Sequence, residues 1–207
     1  MNTALVQAEG DLPSAAADAL RGGAVAIDIE TSGLGWREDG IGTIQVYAPA
    51  VGTVIIRPRP GVPAALLALL ADAATPKVFH HAPFDLAFLA HRWSVDATAV
   101  SCTKIASKVL SPESERAAHS LQALLRARLG VVLDKGPVRV SDWTAEVLTD
   151  EQVEYAASDV RHLLNLHDDL RAALAAAGRL GLYESCCQFL PAQAALTVGG
   201  YPDVFGY

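Results

Sequence analysis

One run of residues constrains the fold of this chain more than any other. Ala24-Val25-Ala26-Ile27-Asp28-Ile29 is small and β-branched, with Gly22-Gly23 before it and Ser32-Gly33 after it. That punctuation marks a strand ending in a turn. The run is apolar on both parities up to Asp28, so it reads as a central strand covered on both sides, which calls for helices packed on a sheet. Ile44-Gln45-Val46-Tyr47 and Thr53-Val54-Ile55-Ile56 supply two further strands, joined through a Pro/Gly-containing connection, and the three suggest a meander. Pro63 to Ala73 is Ala/Leu-rich and helical, with Pro63 in the first turn, where a missing N–H costs nothing. Lys77-Val78-Phe79-His80 is a short strand leading directly into a helix that begins near Pro83.

The second half is mostly helical. Segments near Cys102–Leu110 and Ser120–Leu129 repeat apolar residues every three or four positions, and Gly130 ends the second. A polar loop runs from Asp134 to Ser141. Thr149-Asp150-Glu151-Gln152 fits a capping box, and the helix it opens is predicted to reach about Ala177, before Gly178. No repeat or Ser/Gly linker interrupts the chain. The expected architecture is a single-domain α/β fold, a mixed sheet flanked by helices.

Composition narrows the function classes. At 207 residues, 51% apolar and 19% charged, the chain can bury a sizeable core and is not disordered. The apolar stretch Gly61–Ala71 is too short to cross a bilayer, so no membrane association is expected. Glu9 and Asp11 stand where a signal peptide would carry a basic region. Three cysteines, two of them adjacent (Cys186 and Cys187) and one at Cys102, cannot build a disulfide framework, and a reducing cytoplasmic location is expected. Net charge is −7, yet residues 77–139 hold nine Lys/Arg against five Asp/Glu. A protein gripping long duplexes would be more basic. A small basic region beside a group of acids suits a metal-dependent site for a short anionic substrate.

Three motifs carry chemistry. In Asp28-Ile29-Glu30-Thr31, residues two apart on a strand share a face, so both carboxylates point one way while Ile27 and Ile29 point the other. Two such acids on a covered strand repel and lose hydration unless a cation binds them. In His80-His81-Ala82-Pro83-Phe84-Asp85, Pro83 presets the first helical turn and places Asp85 near the helix N-terminus, where the dipole favours its anion. His80 and His81 face opposite ways on a strand and make a poor zinc pair. In Tyr155-Ala156-Ala157-Ser158-Asp159, a spacing of four puts Tyr155 and Asp159 on one helix face.

In this order and combination the motifs resemble the Asp-Glu-Asp-Asp 3′–5′ exonucleases. Tyr155 and the absence of a histidine at Glu154 match the tyrosine branch, which contains RNase D and the proofreading domain of family A DNA polymerases. His119-Ser120-Leu121-Gln122-Ala123-Leu124, Leu129-Gly130, Leu133-Asp134-Lys135, Ser141-Asp142-Trp143 and Gln152 through Ala157 are similar to RNase D segments. The likeness covers about residues 20–175.

The resemblance implies an RNase H-like fold, with an exonuclease domain over residues 1–182 and a C-terminal helix and apolar tail over 183–207. It implies that Asp28, Glu30, Asp85 and Asp159 hold two divalent ions, Mg²⁺ or Mn²⁺, with Asp28 bridging them. Tyr155 is implied to orient the attacking water or contact the scissile phosphate, being too weak an acid to serve as a base near pH 7. Leu34 matches a leucine that wedges beside the terminal base, with turn packing as its alternative. Thr31 and His81 are further substrate-binding candidates, although many relatives have asparagine at the position of His81. Lys135 and Arg139 are candidate phosphate contacts, and Trp143 is a packing residue. The implied function is a 3′–5′ exonuclease that releases nucleoside 5′-monophosphates from short or single-stranded RNA. The alternatives are a stand-alone DNA exonuclease and a nucleic-acid-binding module without catalysis. Short stand-alone members of the nano-RNase type degrade tiny RNA fragments and assemble into rings, so a homo-oligomer is also anticipated.

Overall fold

The computed structural model describes residues 4–133 and 136–206. Six strands form one mixed sheet: β1 (Leu5–Glu9), β2 (Val25–Thr31), β3 (Ile41–Ala48), β4 (Gly52–Arg57), β5 (Lys77–Phe79) and β6 (Val100–Cys102), in the order β1-β4-β3-β2-β5-β6. The expected meander is β2-β3-β4, antiparallel throughout, while β1, β5 and β6 join in parallel. Among the described residues eight α-helices surround the sheet: α1 (Ser14–Leu20), α2 (Ala64–Ala71), α3 (Ala82–Trp93), α4 (Thr103–Leu110), α5 (Leu121–Leu129), α6 (Asp150–Arg161), α7 (Leu163–Ala176) and α8 (Leu180–Val198). This is the single-domain, RNase H-like α/β sandwich that the motif pattern implied.

Register decides what each face of the central strand meets. Asp28 pairs with Gln45 and Gln45 with Ile55, making one row across three strands. Ile55 at the end of that row packs with Trp143, Leu148, Val153, Ala156 and Ala157, a small apolar cluster beneath α6. The neighbouring row, Ile27-Val46-Val54, faces the other way and belongs to the main core, which also draws residues from α1, α2, α3, α7 and α8. Tyr183, Cys187, Leu190 and Ala194 are buried in that core, so α8 packs on the same interior.

Two expectations need correction. The helix opening at Thr149 does not continue to Ala177: it stops at Arg161, and α7 starts after a break at His162, whose backbone sits at φ −106°, ψ −1°. The break serves two packing partners, because α6 lies over β2, β3 and β4 while α7 packs against α4 and α5. The polar loop from Asp134 to Ser141 contains a short 3-10 turn, Pro137–Val140. Elements without a sequence signal also appear. β1 is an edge strand with mixed exposure and no clean alternation, β6 has three residues, and α1 is a seven-residue Ala-rich helix.

The segment before α6 is held tightly. Arg57, buried at the end of β4, donates through its guanidinium to the carbonyls of Ala145 and Glu146. The backbone of Trp143 presses against β3 at Gly42, where any side chain would collide with it. These contacts set where α6 begins, and with it the residues it carries.

Candidate active site

Alternation along β2 works as the parity argument requires. Ile27 and Ile29 are buried, while Asp28 and Glu30 are half-buried on the face that α6 covers. α6 delivers Asp159, buried at its border with the sheet. Carboxylate oxygens of Asp28, Glu30 and Asp159 all lie within 4.8 Å of one another, and among the described residues this is the one group of three or more ligating side chains placed to share an ion.

Asp85 comes from the other side. His81 takes the left-handed conformation (φ 76°) as the cap of α3, turning the chain sharply out of β5, and Pro83 sits in the first turn. Asp85, in that same turn, is 3% exposed. Burial, then the charge of Asp28 and more weakly that of Glu30, hold its carboxyl well above the usual carboxylate range, against the opposing pull of the Asp85 and Ile29 backbone N–H groups. Asp85 is thus electrostatically coupled to the group without belonging to its tight triangle. A set of hard carboxylate oxygens that repel one another fits a divalent cation such as Mg²⁺ or Mn²⁺ and does not fit a soft metal. Neither His80 nor His81 belongs to the group.

Tyr155 stands one turn before Asp159. It is buried, and its ring lies 5.7 Å from that of Trp143 at a 45° tilt, so Trp143 is a packing residue that fixes the phenol. A groove of about 760 Å³ opens beside it, lined by Val131, Leu133, Tyr155, Ser158, Arg161 and His162 among others. Asp28, Glu30, Asp85 and Asp159 do not line this groove, whose own acids are Asp150, Glu151 and Glu154. Glu154 pairs there with Arg161 at 2.8 Å.

The remaining candidates spread around this centre. Leu34, at the tip of the β2–β3 connection, is 85% exposed and does not pack into its own turn. The Thr31 hydroxyl donates to the Gly33 carbonyl at 2.5 Å. Exposed His81 has its pKa lowered by partial desolvation and by Lys104, Lys108 and Arg116. Those three cations were not singled out from sequence. Their signal was the basic excess of residues 77–139 and the four-residue spacing of Lys104 and Lys108 on α4. His80 was set aside with the zinc idea, yet its Nδ1 lies 2.8 Å from the Thr103 hydroxyl, which donates to the Phe79 carbonyl. Lys135 falls outside the described residues, as does the side chain of Arg139.

Comparison with known proteins identifies the family. The 3'-5' exonuclease family matches residues 4–175. Ribonuclease D of Xanthomonas oryzae pv. oryzae is 35% identical over 122 residues, 59% of this chain and 32% of that protein. The chain thus spans about a third or less of the first curated relatives it matches. Among solved structures, Brucella melitensis NrnC bound to pGG superposes with a TM-score of 0.90 at 36% identity, covering 100% of both chains. The same protein with bound Mg²⁺ gives a TM-score of 0.89 at 36% identity, covering 99% of this chain and 100% of that one. A family match running through β2, α3 and α6, the three elements that bring the acids together, places this chain in the 3'-5' exonuclease family.

Proposed function

We propose that the protein removes nucleotides one at a time from the 3′ end of short or single-stranded RNA, as a cytoplasmic, divalent-metal-dependent exonuclease. The observation that carries this reading is the convergence of Asp28, Glu30 and Asp159 from β2 and α6 within 4.8 Å, with buried Asp85 beside them. These four acids would hold two divalent ions, Mg²⁺ or Mn²⁺, which when bound would supply Lewis-acid activation of water and stabilisation of the attacking and leaving oxygens. Each cycle breaks the last P–O3′ bond. Water provides the new oxygen on phosphorus, a proton goes to the departing 3′ oxygen, and a nucleoside 5′-monophosphate leaves.

The chain's own side chains orient these partners. Near pH 7 the phenol of Tyr155 keeps its proton, so it donates a hydrogen bond to the attacking water or the scissile phosphate, from a position fixed by Trp143. Leu34 offers an exposed apolar edge to the terminal base, and Thr31 lies at the adjacent end of β2. His81, among Lys104, Lys108 and Arg116, faces substrate phosphate, and Lys135 and Arg139 are assigned further phosphate contacts. The catalytic unit spans residues 1–182, and self-association through the tail of the 183–207 segment belongs to the same reading. RNA is favoured over DNA by the ribonuclease D relatives and by the pGG-bound neighbour. A binding module without catalysis is disfavoured by the presence of all four acids and the tyrosine.

Asp28→Asn and Asp159→Asn should each lower hydrolysis of labelled RNA oligomers in Mg²⁺ by about a thousandfold or more. Metal-free stability should hold or rise, since a repelling charge is gone. Tyr155→Phe should slow cleavage substantially while calorimetric metal affinity stays nearly intact. Unchanged turnover in either asparagine variant would eliminate the site.

A further inference from the structure

Positive charge gathers in a second place, away from the acids. An open cleft of about 440 Å³ is lined by Arg37, Asp39 and Ile41 of the β2–β3 connection and β3, by Arg59 just past β4, and by His91 and Arg92 near the end of α3. Its one carboxylate is already engaged: Asp39 accepts from the Gly35 N–H at 2.8 Å and from the Ser32 hydroxyl at 3.2 Å. Arg59 pairs with Glu9. Arg37 and Arg92 have no ion-pair partner among the described residues. Aromatic rings support them instead, with the Arg37 guanidinium 4.2 Å from the Trp36 ring centre and Arg92 6.0 Å from that of Trp93. His91 meets the same indole as Arg37, its ring standing edge-on to Trp36 at 5.0 Å.

We propose that this cleft binds the phosphodiester backbone of a single-stranded substrate upstream of the cleavage point, through Arg37, Arg92 and His91. The proposal rests on the exonuclease reading. In a chain of net charge −7, guanidiniums left without carboxylates in a concave, aromatic-backed cleft form a ready receptor for an anion, and their planar forks match phosphate oxygens. Placement selects the ligand. α3 carries Asp85 in its first turn and His91 and Arg92 six and seven residues later, about 9–10.5 Å along the axis at 1.5 Å per residue. A stacked strand advances about 3.4 Å per nucleotide, so the cleft stands about three nucleotides from the acids. The β2–β3 connection that supplies Arg37 also carries exposed Leu34, so one loop spans the distance between the terminal base and the upstream backbone. A dinucleotide is too short to reach the cleft.

The test uses the full chain with the double substitution Arg37→Ala/Arg92→Ala, assayed on a labelled RNA dinucleotide and heptamer. The expected result is dinucleotide cleavage within twofold of the parent and a heptamer KM raised about tenfold at unchanged kcat. The dependence of log kcat/KM on log salt for the heptamer should become shallower by about 1.4, the share of two phosphate contacts on a single strand. Arg37→Lys/Arg92→Lys should restore the salt slope, since charge is kept, and only part of the heptamer KM, since the planar fork is lost. Equal losses on both lengths, or an unaltered heptamer KM and salt slope, would overturn the proposal. So would a changed solution mass, which marks the cleft as a contact between protein copies. Fluorescence anisotropy of the heptamer on an Asp28→Asn background separates the two readings. If the parent enzyme cuts neither RNA, the exonuclease reading fails, and weaker heptamer binding with both arginines removed still supports the cleft, while unchanged binding sinks it.

Discussion

His167 shows how a single buried residue ties stability to acidity. It is buried between α7 and α8, with Nε2 3.0 Å from the Tyr183 hydroxyl, which also accepts from the Cys102 N–H. Burial, helped by Arg171 and opposed by Asp168, lowers its pKa from 6.5 to about 4. The unfolded chain therefore binds this proton first, and stability falls as pH drops from 6.5 towards 4, by roughly 3 kcal/mol at most. His167→Gln should flatten that limb of the stability–pH curve in urea titrations between pH 4 and 7, and a slope identical to the parent would refute the assignment. Nothing in the sequence marks His167, because its environment comes from α8 and β6, elements distant along the chain. Asp28 and Glu30 were legible because strand parity is a property of the local backbone. The raised carboxyl of Asp85 was not, since it depends on burial and on Asp28, which reaches it from β2.

Among the elements, α6 carries the most function and was the most readable at its start. Thr149 accepts from the Gln152 N–H, while the Gln152 side chain bonds back to the Thr149 N–H and reaches the Ser141 hydroxyl and the Asp142 carbonyl. The capping box thus closes the helix and fastens the preceding loop. Thr149→Ala should cost about 1 kcal/mol of stability by denaturant titration and change kcat only a few-fold, because Tyr155 and Asp159 lie later in the helix. Thr149→Ser should recover most of the stability, and a loss in that variant equal to alanine's would argue against the cap. The other end of α6 was misread. Apolar spacing continues through His162 into α7, and only the change of packing partner breaks the helix. β1, β6 and α1 escaped for a related reason, being short elements recruited by neighbours more than by their own periodicity.

At the scale of the whole molecule, the C-terminal tail leaves apolar surface in water. Tyr201 and Phe205 are 64% and 77% exposed, and the Phe205 ring meets Phe189 of α8 at 5.4 Å between ring centres. Burying such aromatics is worth roughly 1.5–3 kcal/mol each, enough to draw copies of the chain together. Deleting residues 199–207 is expected to reduce the solution mass to monomer and to widen the range of substrate lengths cut. Light scattering that finds the intact protein monomeric would end this reading. No helix among the described residues is long and apolar enough to cross a membrane. What the sequence determined by itself was short in range: the central strand and the parity of its acids, the meander, the start of α3 at Pro83 and the cap of α6, all set by backbone periodicity and neighbouring side chains. Tertiary structure alone decided that Asp159 meets Asp28 and Glu30, that Asp85 is buried beside them, that arginines from three separate segments share one cleft, and that α6 and α7 part at His162. Those outcomes depend on which faces pack together, and packing is a relation between residues far apart in the chain.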